Sequence, residues 1–389
     1  MRVSAKEIGV RLLLVVASLL VGLLALELLA RLVLPPQQTV QLAERPVANR
    51  NMPEIRIEQN RAHELTVLYG GPRGARLRPN THALIRNHQL SGRDIVIEVN
   101  ALGLRYEPIG RKEPGELRVL VLGDSIVFGD FVQADETLPG RLEALTNPPG
   151  ATKRIRFLNA GVAGLSTIEE LYYYQEIGPL VEADVVLLAM YLNDAQQAGA
   201  YTARSMPKLL AKSRFLSWGA NRLEVVRKGI FRDEFGKHER SWRETFRADR
   251  DFARARTPKD KFDREIYNAD LDFGLAWAPG TWDVLGSLLV TFDSAVKANG
   301  ARLAVTLLPL SMQIVNNDDY EDRLPQTRCR AICEGLRIPF YDPIDDLRAD
   351  YRQNEKRQLY DHCHYRPYGY EILASGTLGW LRREGLVPR

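Results

Sequence analysis

The sequence predicts an α/β fold: a three-layer sandwich around a central parallel sheet, preceded by an N-terminal transmembrane helix. Three observations carry this. From Leu117 onward, short β-rich apolar runs alternate with stretches of helix length, the pattern of parallel strands joined by crossover helices. Near the N-terminus, residues 12–34 are apolar except for Ser18, Glu27 and Arg31, with Gly22 in the middle. The 389 residues are 45% apolar and 26% charged, which excludes a collagen, a disordered tail or a disulfide-dense scaffold and leaves enough chain to bury a full core.

The apolar run comes first. As a helix rising about 1.5 Å per residue, residues 12–34 span about 34 Å, against a hydrocarbon core of about 30 Å. The shorter stretch 12–26 has the length of a signal-peptide core. A retained anchor is favoured over cleavage, because apolar residues resume after Glu27 and no clean Ala-x-Ala site precedes a polar stretch. Glu27 and Arg31 stand four apart on one helical face, positioned to pair near the interface. Pro35 and Pro36 stop the helix. Arg2, Lys6 and Arg11 load the N-terminal side, so that end stays cytoplasmic and the rest is sent to a periplasmic or extracellular space.

Residues 35–64 are polar and weakly periodic, and read as a stalk. His82-Ala83-Leu84-Ile85-Arg86 and Asp94-Ile95-Val96-Ile97-Glu98-Val99 then alternate in polarity around Ser91-Gly92, a hairpin signal. The expected organisation is a cytoplasmic N-terminus and anchor at 1–34, a stalk and small β-rich region at 35–115, and an α/β domain at 116–389. Its strand candidates are residues 118–122, 155–159, 184–190, 302–307 and 338–341. Helical stretches fall at 137–145, 167–180, 281–298 and 368–383. An insertion at about 200–270 interrupts the pattern with many basic residues, among them Arg222, Arg227, Lys228, Arg240 and Arg243, interleaved with Trp218, Phe231 and Trp242. It reads as a solvated helical insertion or as a surface for acidic polysaccharide or anionic lipid. The net charge of +4 is too mild to imply nucleic acid as a partner.

Chemistry concentrates at strand ends. The first strand of the α/β region runs into Gly123-Asp124-Ser125-Ile126, where an open sheet collects reactive groups. A serine there needs a base, and the base needs a carboxylate to fix its tautomer. Asp361-His362-Cys363-His364 precedes the last helix and supplies Asp361 and His364 three apart on a tight turn. Taken alone, Gly-Asp-Ser is an ordinary helix cap. Two more strand ends change that: Asn159-Ala160-Gly161-Val162-Ala163-Gly164 and Tyr191-Leu192-Asn193-Asp194 offer donors for an oxyanion, a backbone N–H at Gly164 and a side-chain amide at Asn193. His362 and His364 with Asp361 also suit a metal, but no further well-spaced ligand group appears.

This constellation resembles the SGNH, or GDSL-type, hydrolase family from about Asn100 to the C-terminus. The resemblance implies a flavodoxin-like SGNH hydrolase fold, a nucleophile at Ser125, a base at His364 oriented by Asp361, and an oxyanion hole from Ser125, Gly164 and Asn193. There are two departures. Tyr191 stands where the family pattern has glycine, with a side chain expected to crowd the acyl pocket, and Ile126 replaces leucine. The stretch Asn100-Ala101-Leu102-Gly103-Leu104-Arg105 looks like that of membrane-anchored members, and reads as a turn at Gly103 with an anchor at Arg105.

The expected activity is a membrane-tethered serine esterase acting on an O-acyl ester, an acetyl ester of a cell-surface carbohydrate, with no cofactor and no metal. An O-acetyltransferase of exported polysaccharide uses the same residues, and a non-catalytic envelope binding protein is the reading from another class. The chain order Ser, Asp, His leans to hydrolysis. Cys329 and Cys333 lie four apart in a helix expected over 327–336, poor geometry for a mutual disulfide. A bridge from Cys363 to either one, or three buried thiols, both remain open.

Overall fold

The structure is a computed structural model that describes residues 5–33, 55–58, 65–68, 74–88, 90–147, 154–195, 215, 273–278, 280–315 and 323–388. The basic insertion, Phe215 apart, lies outside the described residues, as does most of the expected stalk. The chain divides into two compact units, one holding the N-terminal helix and Phe215, the other all the strands.

In the first unit, helix α1 (Ala5–Val33) runs 29 residues and ends just before Pro35 and Pro36. Its described apolar side chains are exposed, Leu13 to 71% and Leu32 to 78%. Glu27 accepts the Nε–H of Arg31 at 2.8 Å, the expected i, i+4 pair, and its other oxygen accepts the N–H of Phe215 at 3.1 Å. Among the described residues no helix is long and apolar enough to cross a membrane; within α1 the side chains of Leu12, Val16, Leu19 and Leu20 fall outside that set. The helix is observed, and its passage through a bilayer is not.

The second unit begins with short strands, β1 (Ile55–Glu58), β2 (Thr66–Leu68), β3 (Ala75–Leu77), β4 (Thr81–Arg86) and β5 (Ile95–Val99). The hairpin expected from alternation is β4–β5, paired antiparallel from Thr81 opposite Val99 to Ile85 opposite Ile95. Its inward residues Ala83, Ile85, Ile95 and Ile97 are fully buried. One expectation needs correction. Strand β1 lies inside the stretch read as stalk and pairs parallel with β4; four residues of alternation are too few to stand out from a polar segment.

The α/β part runs β6 (Leu117–Gly123), α2 (Ser125–Phe128), α3 (Leu138–Thr146), β7 (Ile155–Gly161), α4 (Thr167–Val181), β8 (Val185–Tyr191), α5 (Thr281–Ala298), β9 (Arg302–Leu308), α6 (Ser311–Val315), α7 (Leu324–Leu336), β10 (Phe340–Tyr341), α8 (Ile344–Asn354) and α9 (Pro367–Arg383). Its five strands pair in parallel in the order β10-β9-β8-β6-β7. Counted from β6 this is the flavodoxin-like order 2-1-3-4-5, with its switch point between β6 and β8. Helices α3 and α9 pack together at β7, whereas α4 and α5 pack together on β6 and β9. With both faces covered, the strands read as continuous apolar runs, and all seven residues of β8 are buried. The strand ends are glycine where α2 crosses them: a Cβ on Gly161 would lie 2.1 Å from the backbone N of Phe128.

Candidate active site

The carboxyl end of β6 delivers Gly123 and then Asp124, whose side chain caps α2 by accepting the N–H of Ile126 at 2.9 Å. Ser125 is therefore the first residue of a one-turn helix, half-buried at the sheet edge beside the switch point. That helix is held along its length. Asn159 donates to the carbonyl of Val127 at 2.9 Å, and Tyr370 of α9 donates its hydroxyl to the carbonyl of Ile126 at 2.5 Å. At the far end, Arg105 donates to the carbonyls of Phe128 and Gly129 at 2.8 and 2.6 Å, and to Val132 at 2.8 Å. Arg105 is 2% exposed, and burial pushes its guanidinium down to about 10, still charged at neutral pH. The anchor expected at this residue is thus an anchor for the helix that carries Ser125.

The candidate base, His364, and its carboxylate, Asp361, come from the turn between α8 and α9. Asp361 folds the turn on itself: Oδ1 accepts the N–H groups of Cys363 at 3.0 Å and His364 at 2.9 Å. Its Oδ2 takes Nδ1–H of His364 at 2.8 Å, which leaves Nε2 to accept the Ser125 hydroxyl at 3.0 Å. Burial opposes ionisation of Asp361, but the charges of His364 and His362 and the hydrogen bonds from His364 outweigh it. The carboxyl is held far below its ordinary range. Burial likewise disfavours a charged His364, yet Asp361 overcomes it, with Asp124 and Asp130 adding to the field, and the imidazole pKa is raised. Phe131 sets its ring edge-on to His364 at 4.9 Å.

The two oxyanion candidates flank the nucleophile, because β7 and β8 are the neighbours of β6. Gly164 follows β7 with φ +78°, exposed, with open space where a Cβ would sit. Asn193 follows β8 in the 3-10 turn Leu192–Ala195, and its Nδ2 donates to Asp124 Oδ2 at 3.1 Å. Tyr191 does not reach into an open cleft. It is 1% exposed, and its ring lies 6.4 Å from that of His362, beneath the catalytic turn.

All three cysteines are buried and none is in a disulfide, so the bridge from Cys363 to Cys329 or Cys333 is not formed. Cys363 instead places its sulfur 3.5 Å from His364 Nδ1. The potential ligand atoms of Asp361, His362 and Cys363 lie within 4.8 Å of one another. Asp361, however, already accepts three hydrogen bonds within its own turn, and those bonds serve His364.

Sequence reasoning missed two acids. Asp124 was legible as a cap but not as the partner of Asn193. Glu170 in α4 is fully buried, its carboxyl oxygens have no hydrogen-bond partner among the described residues, and burial, with Asp194 and Asp124 nearby, drives its pKa well up. Asp194 is raised for the same reasons, burial first and Asp124 second, although it accepts the N–H of Tyr191 at 3.0 Å. The pattern of α4 gives no signal that Glu170 rather than Glu169 turns inward.

No protein-family model matches the chain, and no curated protein is similar to it in sequence. Solved structures are similar at low identity. An acetyl xylan esterase shares 11% identity over 68% of this chain and 98% of its own, with a TM-score of 0.39. A lipolytic G-D-S-L family protein from Veillonella parvula shares 13% over 68% and 97%, with a TM-score of 0.36. A putative lipolytic G-D-S-L protein from Desulfitobacterium hafniense shares 9% over 68% and 100%, with a TM-score of 0.37.

Proposed function

We propose that this chain is a membrane-tethered serine esterase that cleaves an O-acyl ester, an acetyl ester carried by a cell-surface carbohydrate. The observation that supports the reading is the unbroken hydrogen-bonded line from the Ser125 hydroxyl through His364 to Asp361. In the reaction His364 Nε2 takes the Ser125 proton as Oγ attacks the ester carbonyl, and Asp361 stabilises the imidazolium. The backbone N–H groups of Ser125 and Gly164 and the Asn193 amide receive the oxyanion; one such donor is worth about 3 kcal/mol. His364 then returns the proton to the leaving alkoxide, and water repeats the sequence on the acyl-serine.

The tether is α1, whose exposed leucines and valines need an apolar environment. The test is hydrolysis of p-nitrophenyl acetate by the purified protein, with and without a polysaccharide acceptor. Ser125→Ala should abolish turnover and labelling by a fluorophosphonate while leaving the melting temperature in place. Full activity in that variant would falsify the reading. Acetyl transfer in preference to hydrolysis, once acceptor is added, would move it to a transferase.

A further inference from the structure

Resting on the serine-esterase reading, we infer that Asp124 is a positioning residue that fixes which way round the Asn193 amide sits, so that an N–H rather than the oxygen faces the substrate. Asp124 is 1% exposed, and each of its carboxylate oxygens accepts a hydrogen bond. Oδ1 accepts the N–H of Ile126 and Oδ2 accepts Nδ2–H of Asn193. With both oxygens accepting, the carboxylate meets Asn193 through its nitrogen and not through its oxygen. The Asn193 oxygen is buried with no hydrogen-bond partner among the described residues, so no hydrogen bond to that oxygen competes for the orientation. Of the two N–H groups on Nδ2, one is spent on Asp124 and the second is left for the oxyanion.

The cap alone does not explain a carboxylate here, since asparagine caps a helix as well as aspartate does. The backbone of the Asn193 turn is fixed separately, by Asp194 accepting the Tyr191 N–H. The second Asp124 oxygen, which the cap does not use, holds the amide by its nitrogen.

Asp124→Asn keeps the cap but sets an NH2 group against the NH2 of Asn193. The clash is relieved when Asn193 turns its amide over, which withdraws the donor from the oxyanion. On p-nitrophenyl acetate, kcat should fall about 10²–10³-fold with KM changed less than about threefold, matching Asn193→Ala. The double variant Asp124→Asn/Asn193→Ala should be no slower than either single one, because both remove the same donor. The swap Asp124→Asn/Asn193→Asp re-forms the hydrogen bond with its polarity reversed; it should recover melting temperature and remain inactive. A merely structural contact predicts that Asp124→Asn lowers the melting temperature and leaves kcat of the folded fraction in place, and a direct charge effect on His364 predicts losses that multiply. Either result, or an Asp124→Asn enzyme within about threefold of wild type in kcat, overturns the inference. If wild type neither turns over the ester nor takes up the fluorophosphonate at Ser125, it is the esterase reading that has failed.

Discussion

The guanidinium of Arg105 closes on the carbonyl oxygens of Phe128 and Gly129, the C-terminal end of the helix whose first residue is Ser125. The last carbonyls of any helix lack partners within it, and on a one-turn helix that deficit is most of the helix. A buried arginine with a rigid fork of donors fills it from the segment just before β6. The segment that follows the β4–β5 hairpin thereby holds the helix that carries Ser125.

Arg105→Met should accordingly leave several buried carbonyls unsatisfied and cost about 3 kcal/mol of stability. Urea denaturation measures it. Arg105→Lys should retain the charge and one or two of the bonds, and fall between the two. An Arg105→Met protein as stable as wild type would mean that α2 does not need the clamp.

The pH profile follows from the raised His364. The base must be neutral to accept the Ser125 proton, so kcat/KM should fall as pH drops through its pKa, with the acid limb above the ordinary histidine value of about 6.5. Asp361→Asn should remove the main source of that elevation, move the limb downward, and lower kcat by about 10³–10⁴ through the wrong tautomer. The stability signs run opposite ways. The raised His364 contributes stability below its unfolded pKa that is lost as pH rises through the folded value. The depressed Asp361 contributes stability above about pH 4 that is lost as pH falls toward its folded value.

How much of this could be read from the sequence depends on whether a feature is local. The strands from 118, 155, 184 and 302 stood out because a sheet covered on both faces makes apolar runs, and the observed strands Leu117–Gly123, Ile155–Gly161, Val185–Tyr191 and Arg302–Leu308 lie within a few residues of them. The strand over 338–341 shrinks to Phe340–Tyr341, an edge with two paired residues. Asp361 and His364 were legible together because one turn holds both. The Arg105 partners were not, since a backbone carbonyl has no letter in a sequence. The Asp124–Asn193 bond joins residues 69 apart, and no spacing announces it.

The two histidines of the turn should separate in function. His364→Ala removes the base and should be nearly inactive. His362 is buried at 3% with its ring against Phe273 at 5.6 Å and Tyr191 at 6.4 Å. His362→Ala should therefore lower the melting temperature more than it lowers kcat of the folded fraction. A His362→Ala protein with normal stability and no activity would show the base to be misassigned.

Glu170 gives a pH signature of its own. Its raised pKa means the folded state holds a proton that the unfolded state has released, so wild-type stability declines as pH rises from about 4.5 toward the folded value. Glu170→Gln removes that decline. Denaturation at pH 5 and pH 9 should show the stability difference moving in favour of the variant at the higher pH. A difference that does not change with pH would show Glu170 ionised in the folded protein.

The topology is testable with protease. Digestion outside intact spheroplasts should cut the chain after Pro36 and spare a tag at the N-terminus. A chain wholly resistant until lysis would place the domain in the cytoplasm.

The line from Ser125 to His364 spans 239 positions of chain, and the second of them stands in the turn before the last helix. Ser125 is made early by the ribosome and waits for nearly the whole remaining sequence before His364 can meet it. The contact needs a long-range closure, which also brings the Tyr370 hydroxyl of α9 to α2. A chain not yet folded through that turn has a Ser125 hydroxyl with no imidazole beside it. For the same reason, recovery of turnover after dilution from denaturant should be among the last signals to return, later than far-UV ellipticity.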